Sequence, residues 1–538
     1  MRKNSVLLCG LAFCVFSSCT SIKQPDHVYT QPDYTAEDVR NEEIKRIEAL
    51  RENDSVQALW RATLLQDEKT ISECTEDVVS SYKKAVEEKK WYDALRLYNS
   101  LSAIGYGKLK SLEKQGDELV SLKNADVPGL AKKTPQKEKN STYISGTVTI
   151  WVDRGLKVER GMGFADRVIG SGFFISKDGY IVTNHHVIED LVNPKYEGYA
   201  RLYIKMAGDT ETRIPAKVIG WDSIVDLALL KTEVDAPYVF TLGSSEDLDV
   251  GDKIYAIGSP IGLESTLTSG IVSSVDRKLF TVGNVMQIDA AVNSGNSGGP
   301  CIDQNGAVQA IVFAGIPQYE GLNFAIPVEY LKAELPALYA GGKFEHPWLG
   351  GFGHTKKDMG KEIGLEAQYV MPGGSLSRAG ISEGDVIVSL DGQSVQSLED
   401  IQGVLFRCSA KSIVSIKVMS ATGAEKSALV YLATRPQNPG YRIYNNDVLA
   451  NSFVPIFGMK LVHVSTASSH KYSVLSIVKG GVADESGFSE HDPIDVLGVE
   501  FNEDNSIVYL KAYVKNSKKG YLDRSVGMGA QLDSPYYF

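Results

Sequence analysis

Three short stretches of the chain carry the residue types that acyl transfer needs. Thr183-Asn184-His185-His186-Val187 offers imidazoles, Asp226-Leu227-Ala228-Leu229-Leu230 opens on a carboxylate, and Gly295-Asn296-Ser297-Gly298-Gly299-Pro300 holds a serine among glycines. A serine hydroxyl is a poor nucleophile until a neighbouring imidazole takes its proton. That imidazole needs a carboxylate on its other nitrogen, to fix the tautomer and stabilise the imidazolium. Charge growing on the substrate carbonyl needs backbone N–H groups already aimed at it. Glycines around Ser297 permit a tight turn that points the N–H groups of Gly295 and Ser297 at one spot. Singly, each stretch has an ordinary reading: a structural histidine pair, a turn aspartate, a glycine-rich loop. Together they supply what acyl transfer requires.

The elements that must position these residues are β-rich. From Tyr143 to about Pro327 short runs of Val, Ile, Phe and Tyr alternate with Gly and Asp-Gly, which predicts a sandwich or barrel. Ile169 to Ser176, the turn Lys177-Asp178-Gly179, and Tyr180 to Thr183 read as a hairpin that ends at the histidine pair. Residues 36 to 125 are helical in character. Val56, Leu59, Trp60, Thr63 and Leu64 share one helix face, which Asp54 or Ser55 can cap. Tyr82 to Ile104 carries Trp91, Ala94, Leu95 and Tyr98, with an Ala94-to-Tyr98 step like that of a tetratricopeptide hairpin; a plain helical bundle or spacer is the simpler reading. Ala131 to Ser141 is polar and charged and reads as a flexible linker. Near the other end, Gly373–Ile387 aligns without gaps with Gly480–Ile494 at an offset of 107, seven of fifteen positions being identical, so one small domain occurs twice.

A length of 538 residues predicts three or four domains, and 43% hydrophobic with 23% charged residues is ordinary globular usage. That composition excludes a mostly disordered, collagen-like or polytopic membrane chain. The formal net charge of −11 gives no global attraction to nucleic acid. Met1 to Thr20 reads as an export signal: Arg2 and Lys3, an apolar stretch from Val6 to Phe16, then small residues. The stretch is too short for a permanent membrane span. Phe16-Ser17-Ser18-Cys19 resembles a bacterial lipobox and implies lipid attachment to Cys19, a plain secretory signal being the alternative. Thr20 is not the aspartate of many inner-membrane lipoproteins, which points toward the outer membrane. Cys74, Cys301 and Cys408 are too scattered for a disulfide framework or a metal site, and neither metal nor cofactor is expected.

Gly170-Ser171-Gly172-Phe173-Phe174-Ile175-Ser176, Thr183 to Val187, Asp226 to Leu229 and Gly295 to Pro300 resemble the HtrA (Deg) serine proteases. The resemblance covers about residues 144 to 435 and implies a chymotrypsin-like double β-barrel with chain order His, Asp, Ser. It makes His186 the general base, Asp226 the orienting acid and Ser297 the nucleophile, with the oxyanion hole at Gly295 and Ser297. His185 is then structural. Six residues before Ser297, where trypsin-type enzymes carry an acid, stands Ala291, and a pocket without charge disfavours lysine or arginine. Val312 and the pocket residues Phe313, Ala314 and Gly315 form an apolar wall, so small to medium apolar side chains are favoured. Gly321 to Pro327 reads as packing.

His346-Pro347-Trp348-Leu349-Gly350-Gly351, followed by Gly373 to Ile387, resembles the PDZ domain that follows the protease in this family. Such domains add a peptide C-terminus as an extra strand and capture its carboxylate on backbone N–H groups. Trp348, Leu349, Gly350 and Gly351 would form the carboxylate loop. The family usually carries an apolar residue where Gly351 stands, a departure that bears on the pocket. The second copy offers Ile456-Phe457-Gly458-Met459, with His491 and Pro493 replacing Gly384 and Val386; a structural role and ligand binding stand equal for it. Pro535-Tyr536-Tyr537-Phe538 is an aromatic end of the kind PDZ grooves accept. It can occupy a groove of its own or a neighbouring molecule and restrain activity, although a final strand in the last domain is the commoner arrangement.

The sequence thus predicts a multidomain protein: lipoprotein signal peptide 1–18, helical region 19–130 (TPR-like or a plain bundle), linker 131–143, trypsin-like serine protease domain 144–340, PDZ domain 346–435 and divergent PDZ-like domain 453–538. The expected function is a serine endopeptidase acting on misfolded or damaged exported proteins, with PDZ domains that bind C-terminal peptides. The competing expectation is a lipid-anchored chaperone or binding scaffold with an idle protease domain. The resemblance implies a homotrimer or higher oligomer, lipid-anchored in the bacterial envelope and facing the periplasm, with no nucleic-acid partner. The helical region has no counterpart in the usual family layout and can serve as spacer, docking surface or assembly element.

Overall fold

The computed structural model describes residues 25, 29–131, 134–159, 161–209, 211–259, 266–278, 283–293, 295–315, 322–464, 470–516 and 522–538. The export signal and Cys19 lie outside the described residues, as do Lys132, Lys133 and Gly321. No helix among the described residues is long and apolar enough to cross a membrane.

Five helices precede the β-rich region: α1 (Glu37–Arg51), α2 (Ser55–Leu65), α3 (Glu68–Glu87), α4 (Trp91–Ala103) and α5 (Gly116–Asp126). Asp54 caps α2 by accepting the N–H of Gln57, and Asp67 caps α3 through Thr70. Val56, Leu59 and Trp60 are buried as the periodicity predicts, but Ala58, Ala62 and Leu65 complete the face in place of Thr63 and Leu64. The stretch from Tyr82 to Ile104 spans the end of α3 and all of α4. It breaks between α3 and α4, where Lys89 takes a φ of 57°. The bundle is not a free spacer, since its apolar core continues into Ile413 and Tyr431 of the first PDZ unit. The Trp60 indole N–H donates to Leu429 O at 2.9 Å, Arg96 donates to Lys411 O at 2.7 Å, and Trp60 stacks on Tyr431 at 5.8 Å.

The segment read as linker gains structure before its expected end. Asn140–Ser145 forms the short helix α6, and Tyr143 is buried among barrel residues such as Phe240. Six antiparallel strands follow: β1 (Thr147–Glu159), β2 (Met162–Phe174), β3 (Tyr180–Thr183), β4 (Arg201–Met206), β5 (Ile214–Asp222) and β6 (Leu227–Thr232). Their order β5-β4-β1-β2-β3-β6 closes on itself through β5–β6, making a barrel; helix α7 (His185–Val192) leaves the end of β3. After β7 (Thr241–Leu242), a second set repeats the plan: β8 (Lys253–Gly258), β9 (Thr266–Arg277), β10 (Val285–Ile288), β11 (Pro300–Ile302), β12 (Ala307–Gly315) and β13 (Asn323–Pro327). The order β11-β8-β9-β10-β13-β12 closes through β11–β12. The two barrels and α8 (Val328–Ala340) share one apolar core, in which Phe173, Leu229, Ile257, Ile311 and Leu335 are fully buried.

β14 (Gly342–Lys343) pairs with β5, and the first PDZ unit begins at β15 (Pro347–Trp348). It continues with β16 (Gly351–Asp358), β17 (Lys361–Val370), α9 (Ser375–Arg378), β18 (Val386–Leu390), β19 (Gln393–Ser394), α10 (Leu398–Arg407), β20 (Ser412–Met419) and β21 (Glu425–Thr434). After α11 (Pro439–Asn446) and α12 (Leu449–Phe457), the second unit holds β22 (Met459–His463), β23 (Lys471–Ile477), α13 (Val482–Glu485), β24 (Pro493–Phe501), β25 (Ile507–Asn516) and β26 (Leu522–Gln531) in one sheet. The repeat read from sequence is a repeat in geometry. Gly373, Gly380 and Gly384 take φ of 69°, 73° and 90°, and Gly480, Gly487 and His491 take 76°, 84° and 68°. Asp385 accepts the N–H of Ser382 as Asp492 accepts that of Ser489. The chain end does not add a strand to the last domain. Past Leu532 it crosses to the first PDZ unit, where Tyr537 pairs with Phe352.

Candidate active site

The site builds up from the end of β3. Asn184 precedes α7, and its side-chain amide donates to the Asp226 carbonyl at 2.8 Å. Asp226, at a φ of 63°, closes the turn between β5 and β6, which aims its carboxylate back at α7. Both carboxylate oxygens then engage one residue: Oδ1 accepts the His186 backbone N–H at 2.7 Å, and Oδ2 lies 2.6 Å from His186 Nδ1. The Asp226 side chain is 9% exposed and that of His186 43%, so the far edge of the imidazole stays accessible. Burial works against a charged His186, but the hydrogen bond and charge of Asp226 outweigh it and leave the imidazole pKa raised. For His185 burial prevails over the nearby acids and lowers the pKa, which fits a structural residue.

The Ser297 loop is held from the first barrel. Ser171 N–H donates to Ser297 O at 2.8 Å, and the Ser171 hydroxyl donates to Gly295 O at 2.6 Å while accepting the Ser259 N–H at 2.9 Å. Gly295 takes a φ of 102° and Gly298 one of 85°. A Cβ on Gly298 would lie 2.3 Å from both Ser171 O and Thr183 Oγ1, so the loop needs glycine there to approach β2 and β3. Among the described residues, the N–H groups of Gly295 and Ser297 engage no acceptor. The Ser297 hydroxyl donates to Phe313 O at 3.1 Å. A register shift between Val312 and Ala314 takes Phe313 out of the β12–β13 ladder and leaves its carbonyl for that bond. The Phe313 ring stands edge-on to His186 at 6.4 Å. Ala314 and Gly315 follow on β12 opposite Phe324 and Asn323, and Ala291 O accepts the Thr268 hydroxyl at 2.9 Å.

The structure brings His186 and Asp226 together and sets Ser297 against Phe313 O, and the supports of the Ser297 loop were not read from the sequence. Ser171 stood inside a quoted motif, yet its partners lie 88 and 124 residues away, where no local pattern reaches them. A second buried group was also missed. Asp222, Glu334 and His346, all buried, bring carboxylate and imidazole atoms within 4.8 Å of one another where β5, α8 and the PDZ entry meet. His346 Nε2 lies 2.7 Å from Asp222 Oδ2. Burial, reinforced by the Asp222 charge, pushes the Glu334 pKa well up, while His346 and hydrogen bonds hold that of Asp222 down against its burial.

In the first PDZ unit Trp348 and Leu349 are buried, and the N–H groups of Gly350 and Gly351 both donate to Phe538 O at 3.0 Å. The Gly351 departure does not weaken the pocket; it makes space, because a Cβ there would lie 2.5 Å from the Phe538 ring. The corresponding loop of the second unit is spent on structure. Ile456 and Phe457 end α12, and the N–H of Gly458 caps that helix by donating to Val454 O at 3.0 Å.

Four domain families match the chain. They are a domain of unknown function (DUF8517) at residues 38–123, the trypsin-like peptidase domain at 170–311, the PDZ domain at 367–418 and the TP0546 family PDZ domain at 440–532. A curated protein of Pseudomonas fulva named "Probable periplasmic serine endoprotease DegP-like" is 34% identical over 52% of this chain and 58% of its own length. Proteins of the same name from Marinomonas sp. and Chlamydia trachomatis are 32% and 30% identical over 61% and 66% of this chain, covering 70% and 71% of theirs. The first relatives are therefore spanned over little more than half their length. A solved structure titled "HtrA-type protease AlgW with decapeptide" aligns with 55% of this chain and 97% of its own, at 24% identity and a TM-score of 0.47. With its trypsin-like and PDZ domains in that order, the chain belongs to the HtrA (DegP-like) family of serine endoproteases.

Proposed function

We propose that this chain is a serine endopeptidase that cuts misfolded or damaged exported proteins in the bacterial envelope. The observation that carries the reading is the double engagement of Asp226 with His186 beside a serine held in a glycine-bounded loop. His186 Nε2 takes the proton of Ser297 as Oγ attacks the scissile carbonyl, and the N–H groups of Gly295 and Ser297 receive the oxyanion. Collapse of that intermediate breaks the peptide bond, and His186 gives the proton to the leaving amine. The acyl-enzyme is then hydrolysed by water through the same steps. Phe313, Ala314 and Gly315, with Ala291 in place of an acid, favour apolar side chains at the cleavage position. Peptide ends bind at Gly350 and Gly351, with Trp348 and Leu349 packed behind. The family layout supports assembly as a homotrimer or multiple, and exposed Leu156, Val158, Met162 and Phe164 on the β1–β2 ribbon offer apolar surface for it. A lipid on Cys19 would hold the protein at the periplasmic face of the membrane.

The test is cleavage of reduced casein by the chain from Cys19 onward, beside its Ser297→Ala variant. Cleavage by the parent alone is the expected result, with product termini following apolar residues. Binding of casein without cutting, even with added C-terminal peptides, would replace this reading by the scaffold.

A further inference from the structure

The last four residues fill the groove of the first PDZ unit. Phe538 N–H donates to Gly351 O at 3.0 Å, Gly350 and Gly351 N–H both donate to Phe538 O, and Gly353 N–H donates to Tyr536 O at 3.2 Å. Gln402 on α10 adds a bond from its side-chain amide to Pro535 O at 2.6 Å. The segment is thus an extra antiparallel strand on β16, and its side chains alternate as a strand's must. The Phe538 ring, 2% exposed, enters the PDZ core beside Leu349 and Leu376 in the space that Gly351 leaves. Tyr537 points the other way, into the second unit, where its hydroxyl donates to Pro455 O at 3.0 Å and its ring packs with Ile443 and Val454. Tyr536 stacks on His354 at 4.1 Å. Beside the carboxylate loop lies a cavity of 350 Å³ lined in part by Arg61, which is paired with Glu43, and by Arg378 and Arg442, which add positive charge near the Phe538 end.

We propose that residues 535–538 occupy this groove in cis and compete there with the peptide ends that Gly350 and Gly351 are read above as binding, a reading on which this inference rests. An incoming peptide must displace the tail, and displacement also withdraws Tyr537 from the second unit. Ligand capture at the first PDZ is thereby linked to loss of the Tyr537 contact with the second, while the Tyr369–Asp447 and Lys460–Glu383 bonds still join the two units. A tethered segment competes at an effective concentration in the millimolar range, so it weakens the apparent affinity of an intrinsically ~10 μM peptide by about 100-fold. The inference does not require Ser297 to be a nucleophile.

The experiment measures binding of fluorescein-labelled Ser-Pro-Tyr-Tyr-Phe, with a free carboxylate, to the full chain carrying Ser297→Ala. It repeats the titration on the same chain lacking residues 536–538 and on one carrying Phe538→Ala, each with a thermal melt. At least tenfold tighter binding by either altered chain is expected, with loss of binding for the C-terminal amide, for a peptide ending in alanine, and for Gly351→Ala in the shortened chain. If the shortened chain melts without a transition, Phe538→Ala decides. Equal affinity in the parent and every folded variant would overturn cis occupancy, and equal binding of the alanine-ended peptide would overturn the pocket assignment.

Discussion

The Ser297 hydroxyl donates to the Phe313 carbonyl, 3.1 Å away, while His186 spends its Nδ1 on Asp226. The proposed nucleophile therefore rests on a bulged strand of the second barrel, with the proposed base held separately by the first. On the proposed mechanism the Ser297 hydroxyl must leave the Phe313 carbonyl before it gives its proton to His186. Turnover also requires a neutral His186, and Asp226 raises the pH at which that is reached.

The pH–rate profile follows. kcat/KM should fall as pH drops through an inflection above the ordinary histidine value, because a protonated imidazole cannot accept the Ser297 proton. Asp226→Asn should lower kcat by about 10⁴-fold through loss of the tautomer. It should also move the inflection down. An inflection that stays in place in Asp226→Asn would mean that another group titrates.

If Gly295 and Ser297 form the oxyanion hole, Ser171 is a positioning residue for it, since it holds both of their carbonyls. Ser171→Ala removes the bond to Gly295 O and leaves the buried Ser259 N–H without that acceptor, a loss of about 1–3 kcal/mol. Steady-state kinetics should show kcat reduced roughly 10- to 100-fold with KM little changed, if about that much loop order is lost in the transition state. A reduced melting temperature with normal kcat would make Ser171 merely structural.

Most of the chemistry was legible in the sequence because it sits in short motifs, each fixed by local backbone needs. Gly298 must be glycine to pass β2 and β3, and the glycines shared at 373 and 480 and at 380 and 487, all left-handed, helped make the repeat visible. What stayed hidden was long-range pairing. The Trp60 face reads as one side of any amphipathic helix, and nothing in it names Leu429 as partner. Gly351 read as a defect because its use depends on Phe538, which lies at the far end of the chain. Tyr143 sat in a polar stretch whose composition outweighed one aromatic residue.

The helical region should be bound to the PDZ unit through Trp60. Trp60→Ala should cost about 3–5 kcal/mol of the stability read by urea unfolding. Trp60→Phe keeps most of the packing and should cost about 1 kcal/mol for the lost bond to Leu429. Equal, small effects of both would place the helical region free of the PDZ sheet.

The Asp222–Glu334–His346 cluster should give stability a pH dependence of defined sign. Glu334 has a folded pKa raised above its unfolded value, so its contribution is full below pH ~4.5 and declines as pH rises toward the folded value. Asp222 is lowered: burial opposes its charge, but His346 and its hydrogen bonds prevail, so its contribution is lost as pH falls below the usual carboxylate range. Glu334→Gln should therefore gain stability over the parent progressively from pH 5 to 8 in urea melts. A constant difference across that range would mean that Glu334 does not change ionisation on folding.

Covalent labelling distinguishes Ser297 as nucleophile, with His186 as its base, from any other assignment. The chain from Cys19 onward would be treated with a fluorophosphonate, in the presence of Ser-Pro-Tyr-Tyr-Phe, and the adduct mapped by mass spectrometry. The account predicts a single adduct on Ser297, with its rate of formation reduced by about 10³-fold or more in His186→Ala. An adduct on another serine, or equal labelling of Ser297 with and without the His186 imidazole, would contradict it.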